Sequence, residues 1–351
     1  MRQPIRVLIL GTGQMGSGIA RLVVRRPGLE LVGAYGRRAQ RAGMDVGPAI
    51  GLNQHLGIVL SSNLDAAIER ARPDIAIQAT CSTLDDALPE ITSLVRHGVA
   101  VISIAEEMVY PAATSPAQAK QLHSLAIEHG VAVLGAGINP GFVLDLLIIA
   151  LTGVCTEIES ITATRTNDLS PFGSSVLTAQ GVGLTPEAFR LALAQGGVVG
   201  HYGFAQSIHM IARAVGWDIE RIEETREPIV ARVRRETPFT TVEPGQVAGC
   251  HQKAVAYRNG KPVITLIHPQ QVHPEVEGVM TGDRIHVRGA PEIVLTTTPE
   301  IAGGEGTIAL AVNMIPRVLN APPGSHTMID LPVPAAVLAD ARTFVAKARA
   351  D

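Results

Sequence analysis

A glycine-rich hexapeptide near the N-terminus has the spacing of a dinucleotide-binding loop. The segment Gly11-Thr12-Gly13-Gln14-Met15-Gly16 reads G-x-G-x-x-G, directly after an apolar run and directly before a helical pattern. In this setting the first glycine allows a tight turn, the second lets a pyrophosphate approach the backbone, and the third lets the helix pack closely on the strand. The helix N-terminus offers N–H groups and a partial positive charge to phosphates. The loop is therefore predicted to bind a nicotinamide dinucleotide.

The residues after the second apolar run predict which dinucleotide is bound. The acid that would hold a ribose 2′-hydroxyl about 20 residues after the loop is missing, and Arg37 and Arg38 stand in its place. Arginine pairs with phosphate through its planar fork, so the pattern favours the 2′-phosphate of NADP, with NAD also accepted. Thr80 ends a later predicted strand, and topology places it in the cofactor groove near the nicotinamide ribose.

A pair of adjacent acids could supply acid–base chemistry. Glu106 and Glu107 follow the predicted strand Ala100–Ile104, and ligands in parallel sheets bind beyond the carboxyl ends of strands. Two neighbouring side chains of an extended segment point in opposite directions, so at least one is expected to face the cleft. Desolvation and mutual repulsion would raise one pKa toward the range of a general acid or base. Glu106 is favoured because it lies nearer the strand end, although alternation by itself leaves both open.

Two further segments carry polar side chains suited to binding. Asn139 precedes Pro140 in a strand-to-helix turn, which fits a helix N-cap with proline at the first helical position, and its amide could also reach a nicotinamide carboxamide or a substrate. Arg165 follows a predicted strand and is suited to a bidentate grip on a substrate carboxylate.

The periodicity around these residues predicts an α/β protein. Short apolar runs, among them the predicted strands Ile5–Leu10 and Leu29–Tyr35, alternate with amphipathic stretches over residues 1–150. This alternation indicates a Rossmann-type, doubly wound parallel sheet. Residues 151–305 are expected to form an α+β substrate and dimerisation domain with a mostly antiparallel sheet. Within it, Thr166–Gly183 is predicted to be a long loop and Phe204–Val215 a helix. Residues 306–351 are predicted to be a helix, Gly306–Leu319, and a tail that packs back on the first domain and includes a proline-rich terminal loop, Ala321–Pro334.

Composition excludes several classes of function. The 351 residues include 17% charged and 46% hydrophobic side chains, with a formal net charge of −3, so a disordered tail or a basic nucleic-acid binder is not expected. No apolar run reaches the ~20 residues that cross a bilayer. The 3 cysteines and 11 histidines show no metal-ligand spacing, so no metal is expected. A cytoplasmic protein is predicted.

The motifs together resemble one family along essentially the whole chain. Besides the glycine loop, these are A-E-E-M-V-Y-P, G-I-N-P-G-F, R-T-N-D-L-S-P-F, G-H-Y-G-F and A-P-P-G-S-H-T-M-I-D-L-P. They resemble the 2,4-diaminopentanoate dehydrogenase family and its relatives, the native amine dehydrogenases, often labelled dihydrodipicolinate reductase-like. The paired-histidine motif and lysine of true dihydrodipicolinate reductases are absent, which argues against that biosynthetic activity.

The resemblance implies a reaction and a set of site residues. The reaction is oxidative deamination of an amine at a non-α carbon, reversible as reductive amination of a ketone with ammonia, and the catalytic carboxylate comes from the pair Glu106 and Glu107. The resemblance also implies a substrate site. Its residues are Asn139, Arg165, Asn167 and His268 around the polar end of the substrate, with Phe172 and His201 lining the pocket.

Two other functions remain open from the sequence. One is an NADP-dependent imine or semialdehyde reductase on the same scaffold, which would not depend on ammonia. The other is a non-enzymatic NAD(P) sensor, which would need neither the acidic pair nor a cationic pocket. Fold-level analogy further suggests a homodimer formed through the sheet of the second domain.

Overall fold

The computed structural model of the protein describes residues 3–346. The strands, in chain order, are β1 (Ile5–Leu10), β2 (Leu29–Tyr35), β3 (Leu60–Ser61), β4 (Ile75–Gln78), β5 (Ala100–Ser103), β6 (Ala132–Gly135), β7 (Glu157–Asp168), β8 (Arg221–Val230), β9 (Arg235–Glu236), β10 (Thr241–Val242), β11 (Val247–Arg258), β12 (Lys261–Gln271), β13 (Gly282–Ala290), β14 (Ile293–Thr297) and β15 (Gly324–His326). The α-helices are α1 (Gln14–Arg25), α2 (Val46–Ala49), α3 (Leu64–Ala71), α4 (Leu84–Arg96), α5 (Pro116–Glu128), α6 (Leu146–Thr152), α7 (Ser174–Ala179), α8 (Pro186–Ala194), α9 (Phe204–Val215), α10 (Gly303–Asn313) and α11 (Ile315–Leu319). Short 3₁₀ helices span Ala39–Arg41, Glu106–Val109, Pro111–Ala113, Pro274–Glu277 and Ala341–Phe344.

The chain divides into two compact units, and the first holds the glycine loop. Among the described residues, it comprises 3–142 together with 302–346. Its sheet has the order β15-β6-β5-β4-β1-β2-β3, with every pairing parallel. The order reverses at β1, which lies between β4 and β2, and this is the position at which doubly wound sheets open a ligand crevice. The predicted Rossmann-type sheet is confirmed.

Burial explains why these short runs form a parallel sheet. The central strands β1, β4, β5 and β6 are buried almost throughout, as expected for strands covered by helices on both faces. The apolar stripe of α4, which includes Leu84, Ile91 and Leu94, packs into the same core. The predicted strands Ile5–Leu10 and Leu29–Tyr35 agree with the structure to the residue.

The second unit, Val143–Ile301, contains a mixed sheet. Its order is β14-β13-β7-β12-β11-β8; β7 and β12 are parallel, and the other neighbours are antiparallel. Strands β11 and β12 form a hairpin whose turn residues Asn259 and Gly260 have φ values of 51° and 69°. Two residues with positive φ match the twist of a tight hairpin, which explains the asparagine–glycine pair. The predicted, mostly antiparallel sheet is confirmed.

Three sequence expectations about local structure are wrong. The predicted loop Thr166–Gly183 begins inside β7 and contains α7. The predicted helix Gly306–Leu319 is instead two helices that meet at Met314, with a proline in the first turn of α11. The terminal loop contains β15, which pairs with β6. Strand β15 has no apolar pattern of its own, because it is held by pairing with a neighbour distant in sequence.

The first boundary between the units also differs from the predicted one. It falls after Phe142 rather than at residue 150, because the apolar helix α6 belongs to the second unit, where it packs against α9. Residues 302–346 return to the first unit. The predicted final segment 306–351 includes residues 347–351, which lie outside the described part. Between residues 3 and 346, no helix combines the length and the apolar character needed to span a membrane.

Candidate functional site

The glycine loop is too tightly packed for side chains at two of its positions. Gly11 has φ +97°, and a Cβ there would lie 2.4 Å from the Ala79 carbonyl oxygen. A Cβ at Gly16 would lie 2.0 Å from the carbonyl oxygen of Gly11. Both obstacles are backbone atoms that cannot turn aside. The loop therefore folds back on the end of β4 only because these residues are glycines.

The second glycine of the loop, Gly13, faces open space. A Cβ at Gly13 would meet no atom within 4 Å. Gly13 is also the N-cap of α1, which has no side-chain cap and no acid in its first turn. An uncapped helix N-terminus beside open space suits an anion, because its N–H groups and dipole attract negative charge. Gly11, Thr12, Gly13, Gln14, Met15 and Gly16 thus fit the pyrophosphate of a dinucleotide.

The two arginines after β2 have different surroundings. Arg37 donates from Nε to Glu90 Oε1 at 2.7 Å and from Nη2 to the Asp86 carbonyl at 2.9 Å. The hydrogen bond to Glu90 raises the pKa of Arg37. Arg38 is exposed, and within residues 3–346 its guanidinium has no hydrogen-bonding partner. Of the two charges, Arg38 carries the one that no carboxylate neutralises.

A third arginine, Arg41, contacts the glycine loop, although the sequence did not predict this contact. Arg41 Nη1 donates to the carbonyl and the hydroxyl oxygen of Thr12, both at 2.9 Å, and Nη2 donates to the Ala49 carbonyl at 2.6 Å. Its charge therefore stabilises the conformation of the glycine loop. The only available signal was a third cation after β2, and nothing in its spacing distinguished it from a surface residue.

Thr80, predicted to line the cofactor groove, belongs to a polar network at the carboxyl end of β4. Its hydroxyl donates to Glu90 Oε2. Gln78 Nε2 donates to the Thr80 hydroxyl at 2.7 Å and to the same Glu90 oxygen at 3.2 Å. Ser103 Oγ in turn donates to Gln78 Oε1. The ends of β4 and β5 are thereby tied to α4 directly beside the glycine loop.

The two adjacent acids lie in different environments. The segment after β5 is a 3₁₀ helix rather than the extended chain assumed from the sequence. Glu107 Oε2 accepts a hydrogen bond of 2.6 Å from the backbone N–H of Leu84, at the start of α4. Glu106 is half-buried. Burial raises its pKa to about 7, with a smaller contribution from the Glu107 charge, while a hydrogen bond from Ser82 acts in the opposite direction.

Asn139 is in the first unit but does not cap a helix. The peptide bond between Asn139 and Pro140 is cis, and Gly141 has φ +122°, so the chain forms a tight turn here. Helix α6 begins later, and Asp145 caps it by accepting a hydrogen bond from the Leu146 N–H at 2.6 Å. The predicted N-cap is therefore wrong. A glycine in the left-handed region cannot continue a right-handed helix.

In the second unit, Arg165 is buried and paired. It is 2% exposed; Nη1 donates to Asp283 Oδ1 and Nη2 to the Ile301 carbonyl, each at 2.6 Å. Asp283 is 1% exposed and comes from the neighbouring strand β13. The guanidinium is not the open, unpaired fork that the sequence suggested. The two bonds use two of its five N–H donors.

Next to Arg165, three predicted substrate residues form one cluster. His268 Nε2 donates to Asn167 Oδ1 at 2.8 Å. The ring of His201 contacts the ring of His268 edge to face, with centroids 4.9 Å apart, and Phe204 packs on both. His201 Nε2 is buried and has no hydrogen-bonding partner among the described residues. An unpaired buried nitrogen is costly unless a ligand satisfies it, so this cluster is suited to binding.

Both histidines of this cluster are neutral at pH 7. Burial, followed by the positive charges of Arg165 and Arg226, lowers the pKa of His201 to about 3. Burial, His201 and Arg165 lower the pKa of His268 well below its ordinary value. The pair therefore presents hydrogen-bonding groups without charge.

The cluster includes a supporting residue that the sequence did not reveal, whereas the predicted pocket residue Phe172 lies in a group of apolar side chains. Gln252 is completely buried; its amide accepts from the backbone N–H of His201 at 2.6 Å and donates to the His201 carbonyl at 3.0 Å. Phe172 packs instead in a separate apolar group with Leu169, Leu177 and Val272. A glutamine inside a strand gives no signal by its spacing, because its role depends on a segment 51 residues away.

One group of side chains outside this cluster has the spacing of cation ligands. Ligand atoms of Asp168, His273 and Glu275 lie within 4.8 Å of one another. Asp168 Oδ1 already accepts hydrogen bonds from Ser170 and from the His273 N–H, and His273 Nδ1 lies 2.9 Å from Glu275 Oε1. These side chains therefore already hydrogen-bond within the protein and join the end of β7 to the segment after β12.

Two family models match the chain, and the second begins at residue 142, next to the first boundary between the units. Residues 142–347 match the family model of the 2,4-diaminopentanoate dehydrogenase C-terminal domain, and residues 5–104 match that of the dihydrodipicolinate reductase N-terminus. The chain is 42% identical to a 2,4-diaminopentanoate dehydrogenase from Acetoanaerobium sticklandii over 98% of both sequences. It is 27% identical to an amine dehydrogenase from Streptomyces virginiae, covering 95% of this chain and 98% of that protein. Among solved structures, the amine dehydrogenase from Mycobacterium smegmatis superposes with a TM-score of 0.85 at 27% identity, covering 94% and 97% of the two chains.

Proposed function

The chain belongs to the 2,4-diaminopentanoate dehydrogenase family, and from that premise we propose that it is an NAD(P)-dependent amine dehydrogenase. The reaction is the reversible oxidative deamination of an amine at a non-α carbon, on a substrate resembling 2,4-diaminopentanoate. The observation that carries the proposal is Glu106, a carboxyl group with a pKa of about 7 in the unit that holds the dinucleotide loop. A group that titrates near neutral pH can both accept and return a proton during turnover.

The proposed chemistry moves two electrons and balances with water. The amine, the oxidised cofactor and water give the ketone, ammonia, the reduced cofactor and a proton. The cofactor, when bound, accepts or supplies the hydride. Glu106 takes a proton from the substrate ammonium and releases it to solvent before water attacks. It then takes a proton from the water that adds to the iminium carbon and gives it to the carbinolamine nitrogen. As the C–N bond breaks, it accepts the hydroxyl proton, so that the ketone forms and ammonia leaves. In the reverse direction the same carboxyl group returns these protons, and its negative charge stabilises the iminium.

We assign the two acids separate roles. Glu107 anchors the 3₁₀ helix to the start of α4 through the Leu84 N–H, which fixes the backbone next to Glu106. Glu106 is the proton carrier, because its carboxyl group has the raised pKa. Asn139 remains proposed as a hydrogen-bonding partner of the nicotinamide carboxamide or the substrate, and Thr80 as a lining residue near the nicotinamide ribose.

Substrate recognition is assigned to the polar cluster of the second unit. Neutral His268, Asn167 and His201 are proposed to hydrogen-bond the polar end of the substrate, with the unsatisfied nitrogen of His201 as one contact. Arg165 is proposed to attract a substrate carboxylate with its remaining donors while Asp283 holds the guanidinium in place. Phe172 is retained as a pocket-lining residue with its position set by its apolar neighbours.

The deciding experiment is NAD(P)H oxidation with 2-amino-4-oxopentanoate, 4-oxopentanoate and cyclohexanone, each with and without ammonium. Oxidation that requires ammonium supports reductive amination, and faster turnover of the two acids than of cyclohexanone supports the role of Arg165. Oxidation without ammonium would instead identify a carbonyl reductase. Cofactor binding without any oxidation would contradict the proposed substrate class.

For the cofactor, we propose NADP as the preferred form, with NAD also accepted. Of these two arginines, Arg37 is paired with Glu90, whereas the exposed Arg38 has no carboxylate partner among the described residues, so most of the preference is assigned to Arg38. Replacing both Arg37 and Arg38 with Ala is expected to weaken NADPH binding about tenfold or more, because charge-assisted hydrogen bonds to the 2′-phosphate are lost. NADH binding is expected to change little. Titration of each nucleotide checks this, and equal losses would contradict the assignment.

We further propose a cytoplasmic homodimer. The three cysteines are free thiols, as is typical of a reducing compartment. One face of the sheet in the second unit is partly exposed and rich in β-branched residues, among them Thr162, Thr164, Val255 and Ile267. We propose that the same face of a second copy covers it, since an interface core of this kind excludes water. Light scattering that gives the mass of a single chain would contradict the dimer.

A further inference from the structure

Glu90 is an acid in a place where acids are rarely found. It lies in the middle of α4 and is 6% exposed. A buried carboxylate persists only when hydrogen bonds and an opposite charge compensate its lost hydration. Here Oε1 accepts from Arg37 Nε, and Oε2 accepts from the Thr80 hydroxyl and from Gln78 Nε2. Both oxygens are thus engaged.

The contact with Glu90 determines what Arg37 can offer to a ligand. Arg37 follows the end of β2, the position at which dinucleotide-binding folds discriminate the ribose 2′ substituent. Its Nε and Nη2 donate to Glu90 and to the Asp86 carbonyl, so two donors of the fork are directed at α4. The carboxylate 2.7 Å away also neutralises the charge that a phosphate would otherwise meet.

From this geometry we propose that Glu90 is a specificity-determining positioning residue, which holds Arg37 away from the 2′-phosphate and thereby limits the preference for NADP over NAD. The inference rests on the proposed use of these two cofactors. It explains how a chain with two arginines at the discriminating position still accepts NAD. Arg38 supplies the attraction for the 2′-phosphate, because the carboxylate of Glu90 largely neutralises the charge of Arg37.

The experiment measures binding of NADPH and of NADH to the purified protein without substrate, by titration calorimetry. Glu90→Gln removes the carboxylate charge and keeps the shape of the side chain. It is expected to tighten NADPH binding roughly five- to tenfold, the range of a released charge-assisted contact, while NADH binding changes less than about twofold. The double variant Glu90→Gln/Arg37→Ala is expected to lose this gain, because the effect acts through Arg37.

Controls separate this role from a structural one. Glu128→Gln removes an exposed acid from α5 and is expected to leave both affinities unchanged. The proposal would be overturned if Glu90→Gln left the ratio of the NADPH and NADH affinities unchanged. It would also be overturned if the gain in NADPH affinity persisted in Glu90→Gln/Arg37→Ala. If Glu90→Gln does not fold, single variants of the two arginines test the proposal instead. Arg38→Gln is expected to weaken NADPH binding at least roughly fivefold more than Arg37→Gln does. Equal losses in the two variants would overturn the proposal.

The failure of this inference differs from a failure of the proposed function. Binding is measured without amine or ketone, so the result does not depend on the chemistry assigned to the site. If the protein binds neither nucleotide, the proposed function itself fails. If it binds both but Glu90→Gln leaves their ratio unchanged, only the role of Glu90 fails.

Discussion

Replacing Glu106 with Gln is expected to lower kcat for amine oxidation by about 10³-fold, within the range that a positioned general acid or base contributes. The amide has the shape of the carboxyl group but cannot accept a proton. Because Glu106 is not part of the glycine loop, the affinity for NADPH in the absence of substrate is expected to stay within about twofold of the wild type. Steady-state kinetics and nucleotide titration together check both statements.

Glu107→Gln is the matched control. Its carboxylate accepts the Leu84 N–H, and a glutamine oxygen can still accept that bond. We therefore expect a modest loss of stability, about 1 kcal/mol, and a much smaller loss of kcat than in the Glu106 variant. If Glu107→Gln abolishes turnover and Glu106→Gln does not, the roles assigned to the two acids are reversed.

The raised pKa of Glu106 adds a pH signature to the same prediction. With a pKa of about 7, the carboxyl group is a base only above neutral pH, so kcat for oxidation is expected to rise as pH increases through that value. This inflection should be absent from the residual activity of Glu106→Gln. Stability has the opposite dependence. The folded state favours the protonated form of Glu106. The contribution of Glu106 to the free energy of unfolding is therefore complete below the ordinary pKa near 4.5, and it is lost as pH rises through about 7.

Replacing Asp283 with Ala is expected to lower the free energy of unfolding by about 3–5 kcal/mol. Arg165 is 2% exposed, and its Nη1 would be left as a buried charge without a counter-ion. Asp283 also accepts hydrogen bonds from the Thr297 hydroxyl and the Ile301 N–H, which would lose their acceptor. Urea denaturation followed by circular dichroism measures the loss.

Two further variants make this stability prediction specific. Glu159→Ala breaks an exposed ion pair with Arg288 in the same sheet, and it is expected to cost less than about 1 kcal/mol. Arg165→Met/Asp283→Leu replaces both charges with apolar groups, and it is expected to recover most of the stability lost in Asp283→Ala. A loss of less than about 1 kcal/mol in Asp283→Ala would show that Arg165 does not depend on its partner.

The sequence predicts elements that carry their own apolar pattern more accurately than elements that depend on pairing. Strands β1 and β2 and helix α9 were predicted to the residue, because each carries an apolar pattern of the right period and clear flanking signals. Strand β15 was missed since it has three residues and is formed by pairing with β6. The local spacing of apolar residues indicates which residues are buried, but it does not indicate which distant segments pair.

The same division applies to the candidate site. The amino-acid sequence by itself determined the dinucleotide loop, since only glycine fits where a Cβ would meet a backbone carbonyl, and its motifs pointed to the family. Tertiary structure alone decided which charges are available. It pairs Arg37 with Glu90, 53 residues away, and Arg165 with Asp283, 118 residues away, and it leaves Arg38 exposed. Spacing along the chain can place a charge near a strand end, but whether that charge is neutralised depends on contacts that form only when distant segments pack together.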